Sequence, residues 1–249
     1  MTTTATSKTE FLKKIEQKQV HVGVIGLGYV GLPLALSFTE RGYRVTGFDV
    51  DAEKVDKLMK GETYIMHMDP QRVAAAVHDK LFEATADFDR LEEPDALLIA
   101  VPTPLTPQRE PDMKYVVMTS EQVRDRLRPG QLVVLESTTY PGTTDELVRG
   151  ILEQSKLVCG KDFYLAFSPE REDPGNKSFN TRTIPKVVGG VDAASGEIAA
   201  ALYEAAIDKV VLVGSARAAE ATKLTENIFR AVNIALVNEL AILFHRLGL

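Results

Sequence analysis

The chain has 249 residues, a hydrophobic content of 45% and a formal net charge of −6 at pH 7. This length allows one large or two small domains, and the acidic balance argues against a nucleic-acid partner. A single cysteine, Cys159, excludes an internal disulfide and fits the reducing cytoplasm. We expect no apolar run of membrane-spanning length and no secretory signal, and therefore no membrane partner.

The chain begins with a Thr- and Lys-rich segment, residues 1–19, which we assign to an N-terminal tail. Phe11, Leu12 and Ile15 predict one amphipathic turn within this tail. Regular alternation of strand and helix patterns begins after it, and we assign residues 20–214 to one domain.

A glycine fingerprint follows the first apolar strand, in the sequence VHVGVIGLGYVG. Gly26 allows a tight turn, Gly28 leaves room for a pyrophosphate, and Gly31 lets helix and strand pack closely. The second strand ends in Asp49, about 20 residues further on, where a dinucleotide-binding unit carries an acid for the ribose. The Asp49 carboxylate would repel a 2′-phosphate, so the pattern predicts a βαβ unit that binds NAD in preference to NADP.

The remaining elements continue the alternation, which predicts an α/β fold with a doubly wound, mainly parallel sheet of the Rossmann type. In chain order the strands are predicted at 20–25, 43–48, 82–85, 96–101, 132–135, 163–167, 186–188 and 209–213. The helices are predicted at 32–39, 52–59, 70–78, 113–127, 144–154 and 193–206.

A long helix is predicted at the end of the chain. No proline or glycine occurs from Ala216 to Arg246, helix-forming residues dominate, and Gly248 is a suitable stop. We assign residues 215–249 to a long central helix. Its later half is apolar around most of its circumference, which predicts a homodimer formed through residues 216–247.

Three loops follow the carboxyl ends of apolar strands, at residues 102–112, 137–143 and 168–176. Ligands bind at this edge of open α/β sheets. Thr103 and Thr138 offer hydroxyl groups there, although ordinary turn chemistry also explains threonines in loops.

The third of these loops, SPEREDPGN, places Glu170, Arg171 and Glu172 in succession. A carboxylate next to an arginine suits acid–base chemistry, with the arginine binding a phosphate or sugar oxygen. A solvated charged surface is the alternative interpretation.

On the long helix, Lys223, Asn227 and Arg230 have the i, i+4 and i+7 spacing of one helix face. They suggest a proton acceptor, a hydroxyl-binding amide and an anion-binding cation; an exposed polar stripe is the alternative. The histidines lack metal-ligand spacing, so no metal site is predicted, and Cys159 is interpreted as structural.

Together these motifs resemble the UDP-glucose/GDP-mannose dehydrogenase family. The matching stretches, in family order from residue 20 to about 242, are GLGYVGLP, VPTPLTPQREPD, ESTTYPGT, SPEREDPGN and EATKLTENIFRAVNIALVNELA. The charged loop is most similar to members that oxidise N-acetylated UDP-sugars such as UDP-N-acetylglucosamine. UDP-glucose dehydrogenases carry a second glutamate where this chain has Pro174.

The resemblance implies oxidation of the C6 alcohol of a UDP-N-acetylhexosamine to a carboxylate, in two steps with two NAD⁺. The product would serve the synthesis of polysaccharide, O-antigen or capsule precursors. UDP-glucose and UDP-N-acetylmannosamine stay open as substrates. A β-hydroxyacid dehydrogenase is an alternative within the oxidoreductases, and a non-catalytic, NAD-binding dimerisation module is an alternative from another class.

The resemblance also implies roles for individual residues. Lys223 would accept a proton and stabilise an oxyanion, with Asn227 beside it, and Thr138 and Glu170 would order water and move protons. The residues implied in cofactor binding are Gly26, Gly28, Tyr29, Val30, Gly31, Asp49, Thr103 and Thr138. Those implied in substrate binding are Arg171, Glu172, Lys223, Asn227 and Arg230.

The chain departs from the family in one respect. The family's nucleophilic cysteine lies in a Gly-rich segment after the long helix, and a UDP-binding domain follows. Nothing similar occurs in this sequence, and Cys159 lies in the wrong place. The resemblance therefore implies that the chain is the cofactor domain and connecting helix of a longer enzyme, and that it lacks the second oxidation.

Overall fold

The computed structural model describes residues 7–66, 68–170 and 184–249. The strands are β1 (His21–Ile25), β2 (Arg44–Phe48), β3 (Phe82–Thr85), β4 (Ala96–Ile99), β5 (Leu132–Leu135), β6 (Tyr164–Phe167), β7 (Lys186–Gly190) and β8 (Val210–Val213). The helices are α1 (Lys8–Glu16), α2 (Gly31–Thr39), α3 (Ala52–Met59), α4 (Pro70–His78), α5 (Lys114–Arg124), α6 (Arg149–Leu152), α7 (Ala193–Glu204) and α8 (Ala216–Arg246).

The strands of the described chain form one sheet in the order β3-β2-β1-β4-β5-β6-β7-β8. Neighbouring strands pair in parallel, except for the antiparallel pair β6–β7. Strand β1 lies between β2 and β4, so the chain order reverses there and a crevice opens at the carboxyl ends of these strands. This topology confirms the predicted Rossmann-type, mainly parallel sheet.

The core lies on both faces of the sheet, because the central strands are apolar throughout. Leu98 of β4 and Val134 of β5 join one cluster, against α1, α2, α4 and α7. Leu97 and Val133, their sequence neighbours, point to the opposite face and join a second cluster, against α5, α6 and α8. Strands buried on both faces read as continuous apolar runs, which is the pattern of covered parallel sheets.

The first helix extends the domain beyond the predicted boundary at residue 20. Helix α1 occupies much of the segment assigned to a tail, and Ser7 caps its first turn through a hydrogen bond from the N–H of Glu10. Phe11 is 1% exposed and packs edge-on against the ring of Tyr164 on β6. Burying such a ring contributes about 2 kcal/mol towards docking α1 against the sheet.

Two further elements differ from the sequence prediction. A 3₁₀ helix at Phe88–Glu92 was not predicted. The helix predicted at residues 144–154 begins as a π-helix at Thr143–Val148, continues as α6 and ends in a 3₁₀ turn at Glu153–Ser155. π-helical turns are rare and occur frequently near functional sites.

Helix α8 has 31 residues and is buried only at its start, where Ala216, Ala219 and Glu220 contact the domain. From Asn227 onward its residues are exposed. An 18-residue window reaches a mean hydropathy of 1.4, so by length and composition the helix also qualifies as membrane-spanning. The expectation of no apolar run of membrane-spanning length was wrong. Polar residues such as Arg230 and Glu239 interrupt the run, but the mean hydropathy of the window stays high.

Candidate active site

The loop after β1 has the backbone geometry that close approach of a ligand requires. Gly26 has a φ of 93°, and a Cβ there would lie 2.7 Å from the carbonyl oxygen of Ala100. A Cβ on Gly31 would lie 1.9 Å from the carbonyl oxygen of Gly26. No described atom lies within 4 Å of the Cβ position of Gly28, which faces a groove instead. Two glycines are therefore needed by the fold, and the third leaves space for a ligand.

Two side chains hold the main chain of this loop. The Asp49 carboxylate at the end of β2, only 7% exposed, accepts hydrogen bonds from the N–H groups of Leu27 at 2.9 Å and Asp51 at 3.0 Å. The hydroxyl of Tyr64 donates to the carbonyl oxygen of Leu27. Burial, together with the charges of Asp49 and Asp51, raises the pKa of Tyr64, so its hydroxyl stays a donor.

A groove of about 800 Å³ runs along the carboxyl ends of β1 and β4. Its volume and position suit a dinucleotide. Its lining includes Gly26, Gly28, Tyr29, Val30, Asp49, Val50, Lys54, Phe88, Pro102, Tyr115, Met118, Thr119 and Gln122. The open side at Gly28, the helix N-terminus at α2 and the Asp49 carboxylate together fit NAD.

Several lining residues were missed by the sequence analysis. Tyr115, Met118, Thr119 and Gln122 follow i, i+3, i+4 and i+7 spacing on α5, so they share one helix face. The sequence signal that could have identified them is a helix face that mixes aromatic, apolar and amide side chains. Lys54 lies in the first turn of α3, and its Nζ lies 3.7 Å from the Asp51 carboxylate.

The loops after β4 and β5 are tied together by hydroxyl groups. The Thr103 hydroxyl donates to the carbonyl oxygen of Thr138 at 2.8 Å, and the Ser137 hydroxyl donates to that of Val101 at 2.6 Å. The structure thus brings the two predicted threonines together. Because its proton is engaged, the Thr103 hydroxyl has only its acceptor side left for a cofactor. The Thr139 hydroxyl is buried, and no described residue is a hydrogen-bond partner for it.

The loop after β6 meets the start of α8. The Lys223 ammonium donates to the main-chain carbonyl oxygen of Glu170 at 2.5 Å. Two predicted catalytic residues therefore come together at the carboxyl edge of the sheet, although through the Glu170 main chain rather than its carboxylate. Arg171 and Glu172 lie outside the described residues.

Asn227 and Arg230 lie one and two turns beyond Lys223 on α8, where the helix is exposed. Their spacing places them on the face of Lys223. Their assignment to substrate binding stays a prediction.

A buried ion pair lies beneath this edge, and the sequence analysis missed it. Lys186 on β7 binds the carboxylate of Glu136 at 2.7 Å, and the hydroxyl of Tyr203 donates to the same carboxylate. The Lys186 ammonium also lies 4.9 Å from the centre of the Tyr203 ring. Burial raises the pKa of Glu136 against the lowering effect of Lys186, and the charge of Glu170 raises it further. This pair fixes the strand ends that carry the loops above it.

The described residues offer neither a reactive thiol nor a metal cluster. Within residues 7–66, 68–170 and 184–249, no three His, Cys, Asp or Glu side chains are placed to hold a metal ion together. Burial, followed by the charge of Asp192, raises the pKa of Cys159 to about 12. At neutral pH this cysteine is a thiol rather than the nucleophilic thiolate.

Comparisons with known proteins agree with this geometry. Residues 20–207 match the NAD binding domain of the UDP-glucose/GDP-mannose dehydrogenase family, and residues 217–249 match its central domain. The first match includes the loops at 137–143 and 168–176, which the β-hydroxyacid dehydrogenase alternative leaves unexplained. It confirms the predicted NAD cofactor.

Three relatives are between 35% and 40% identical to this chain over the residues that align. Protein CapL of Staphylococcus aureus is 40% identical, over 92% of this chain and 53% of its own length. The UDP-N-acetyl-D-glucosamine 6-dehydrogenase of Salmonella typhi is 37% identical, over 93% and 54%. The structure of the UDP-D-ManNAc dehydrogenase from Pyrococcus horikoshii is 35% identical, over 92% and 55%, with a TM-score of 0.88.

The chain therefore spans about half the length of the relatives that it matches. The glycine loop, the groove and the part of α8 that contacts the sheet edge all lie within the residues that match. On these matches, the chain belongs to the UDP-glucose/GDP-mannose dehydrogenase family.

Proposed function

We propose that this chain is the NAD-binding half of a UDP-sugar 6-dehydrogenase, which oxidises the C6 alcohol of a UDP-N-acetylhexosamine to a carboxylate. Conversion of an alcohol to a carboxylate removes two hydrides and adds one oxygen from water, so two NAD⁺ are reduced for each sugar. The names of the relatives from Salmonella typhi and Pyrococcus horikoshii support an N-acetylated UDP-sugar. Synthesis of polysaccharide, O-antigen or capsule precursors is the corresponding role.

The observation that carries the proposal is the contact between Lys223 and the Glu170 carbonyl oxygen, at the same sheet edge as the dinucleotide groove. NAD⁺ supplies the hydride acceptor when it is bound. Lys223 acts as a neutral amine: it accepts the proton of the C6 hydroxyl, and the ammonium so formed stabilises the oxyanion. The Glu170 carbonyl oxygen fixes the position of Lys223 Nζ by accepting a hydrogen bond from it.

Further residues complete this assignment. Thr138 and Glu170 order water and move protons, and Asn227 supports Lys223. Arg171, Glu172, Lys223, Asn227 and Arg230 bind the UDP-sugar. The cofactor residues are Gly26, Gly28, Tyr29, Val30, Gly31, Asp49, Thr103 and Thr138, and the first four together with Asp49 line the groove.

The partner of the exposed half of α8 is a second copy of the same chain, in a homodimer formed through residues 216–247. The exposed apolar side chains of this half, among them Leu236 and Leu243, support a protein partner for this helix. A cytoplasmic location follows from the chemistry, because UDP-sugars and NAD⁺ are cytoplasmic metabolites. A membrane-spanning α8 is the competing explanation of its composition.

The test is turnover of the full-length protein on a panel of UDP-sugars that differ in the N-acetyl group and in epimer, with NADH followed by absorbance. Lys223→Ala should lower kcat by about 100-fold or more, since a positioned proton acceptor contributes this much. Its dissociation constant for NAD⁺ should change little, because Lys223 is not among the residues that line the groove.

Lys161→Ala is the matched control, because this lysine is exposed on a turn before β6. It should keep full activity. Near wild-type turnover by Lys223→Ala would show that Lys223 is a surface residue only. Failure of every UDP-sugar with the wild-type protein would instead favour the non-catalytic, NAD-binding module.

A further inference from the structure

Glu220 is a fully buried carboxylate where α8 contacts the helix that follows β5. One of its oxygens, Oε2, accepts a hydrogen bond from the main-chain N–H of Gly142 at 2.7 Å. The other, Oε1, accepts two, from the N–H of Thr144 at 2.9 Å and from the Thr144 hydroxyl at 2.7 Å. Three donors thus converge on a carboxylate that is 76 residues distant from Thr144 in sequence.

These hydrogen bonds cap the helix that begins at Thr143. Gly142, the residue before its first turn, has a φ of 102° and offers no side chain, so the helix has no N-cap of its own. The first N–H groups of a helix lack partners within it, and the helix dipole favours a negative charge at this end. Glu220 therefore supplies, from α8, the cap that position 142 lacks.

The capped helix and α8 each carry one side of the candidate active site. The loop before the cap contains Thr138, whose carbonyl oxygen accepts the hydrogen bond from Thr103. On α8, Lys223 lies three residues after Glu220, a little less than one turn along the helix, and donates to the Glu170 carbonyl oxygen. Glu220 thus connects the loop that carries Thr138 to the helix that carries Lys223.

A second link between the same two helices is of a different kind. Arg217 binds Asp145 and Glu146 at 2.6 Å and 2.5 Å, but its side chain is 53% exposed. Solvent screens such pairs, and they adapt to small displacements. A buried carboxylate with three donors keeps all its hydrogen bonds in only one relative arrangement of the helices, so Glu220 fixes geometry where Arg217 does not.

We propose that Glu220 is a positioning residue that docks α8 onto Gly142 and Thr144, where the loop of residues 137–142 meets the following helix, and so sets the position of Lys223 relative to Thr138. Its effect on catalysis rests on the proposed function, whereas the docking of the two elements does not. A further consequence is that a bound dinucleotide, by ordering the loop, also stabilises the start of α8.

Hydrogen exchange of the full-length protein, measured by mass spectrometry with and without NAD⁺, tests this proposal. In the wild type, NAD⁺ should slow exchange in three segments, residues 24–33, 137–148 and 216–226. In Glu220→Gln, exchange of 137–148 and 216–226 should rise about tenfold, because an amide cannot accept from all three donors. NAD⁺ should still protect residues 24–33 but no longer 216–226. If the proposed activity is present, kcat should fall with little change in the KM for NAD⁺.

Arg217→Ala is the matched control, since it breaks the exposed link between the same helices, and it should keep the NAD⁺-dependent protection of residues 216–226. Thr144→Val removes one of the three donors and should give a smaller effect in the same direction, which decides the question if Glu220→Gln does not fold. The proposal would be overturned if NAD⁺ still protected residues 216–226 in both Glu220→Gln and Thr144→Val. Faster exchange that is spread evenly over the chain would also overturn it. A wild-type protein that oxidises no UDP-sugar would refute the proposed function alone.

Discussion

Asp49 and Tyr64 hold the main chain of the same residue: the Asp49 carboxylate accepts from the N–H of Leu27, and the Tyr64 hydroxyl donates to its carbonyl oxygen. Leu27 lies between Gly26 and Gly28, so both contacts act on the loop that faces the dinucleotide groove. The loop is held in one conformation before a ligand arrives, which lowers the entropy lost on binding.

Asp49 should decide between the two dinucleotides. Asp49→Asn keeps a hydrogen-bond acceptor but loses the charge that repels a 2′-phosphate, so the preference for NAD⁺ over NADP⁺ should narrow by about tenfold. Asp49→Ala should in addition weaken binding of both cofactors, since it releases Leu27. Calorimetry with each dinucleotide measures both effects. Equal binding of NAD⁺ and NADP⁺ by the wild-type protein would contradict the assignment of Asp49.

Tyr64→Phe should weaken NAD⁺ binding by about threefold to tenfold, because one hydrogen bond to the loop is lost. The chain offers a matched control in Tyr43→Phe. The Tyr43 hydroxyl also donates to a main-chain carbonyl oxygen, that of Ile15 at 2.7 Å, but on the side of α1. Thermal unfolding should register both substitutions, whereas the dissociation constant for NAD⁺ should change only for Tyr64→Phe. An equal effect of both on NAD⁺ binding would assign Tyr64 a general role in stability.

The exposed half of α8 should mediate self-association with two-fold symmetry. Leu236 and Leu243 are 55% and 48% exposed and lie seven residues apart on one face of the helix. Changing both to Glu should shift the protein towards monomer in sedimentation at several concentrations, while Asn233→Glu on the same helix should have less effect. A wild-type monomer at micromolar concentrations would contradict the dimer, and binding to lipid vesicles would support the membrane explanation.

Stability should depend on the charge of Glu83 on β3. Burial alone would raise the pKa of this carboxyl, but hydrogen bonds from Arg90, Thr46 and Arg44 outweigh it and lower the pKa to about 2. A lowered pKa in the folded state stabilises the protein above the unfolded value of 4.5, and this contribution is lost as pH falls from 4.5 to about 2.

Glu83→Gln should therefore cost about 1 kcal/mol of unfolding free energy at neutral pH, after solvent screening of a partly exposed group. The cost should shrink as the pH approaches about 3. Urea unfolding across this range measures it, with Glu204→Gln, an exposed glutamate at the end of α7, as control. A cost that does not depend on pH would mean that packing rather than charge is responsible.

Elements with local signals were predictable from the sequence. Helix α4 begins at Pro70 and ends at His78, as predicted, because Asp69 caps its first turn through the N–H of Gln71. The glycine loop and Asp49 were found in the same way, since their spacing is a local property of one βαβ unit. Helix α1 was predicted only as one turn, because its stability depends on Tyr164, more than 150 residues away.

The same distinction applies to the candidate site. Lys223 and Glu170 were each singled out, but their contact through a main-chain carbonyl oxygen depends on where α8 meets the sheet. Tyr64 and Glu220 were not singled out at all. Their partners, Leu27 and Thr144, lie 37 and 76 residues away, and no sequence pattern marks such hydrogen bonds.

The ion pair between Glu136 and Lys186 limits how this chain can change during evolution. Substituting either partner alone leaves the other charge buried without its counter-ion, which costs about 3–5 kcal/mol. That is a large share of the free energy that keeps a domain folded. Replacing both by apolar residues of similar volume avoids this charge penalty but removes the acceptor of the Tyr203 hydroxyl. Although they lie 50 residues apart in sequence, Glu136 and Lys186 are therefore expected to be substituted together rather than one at a time.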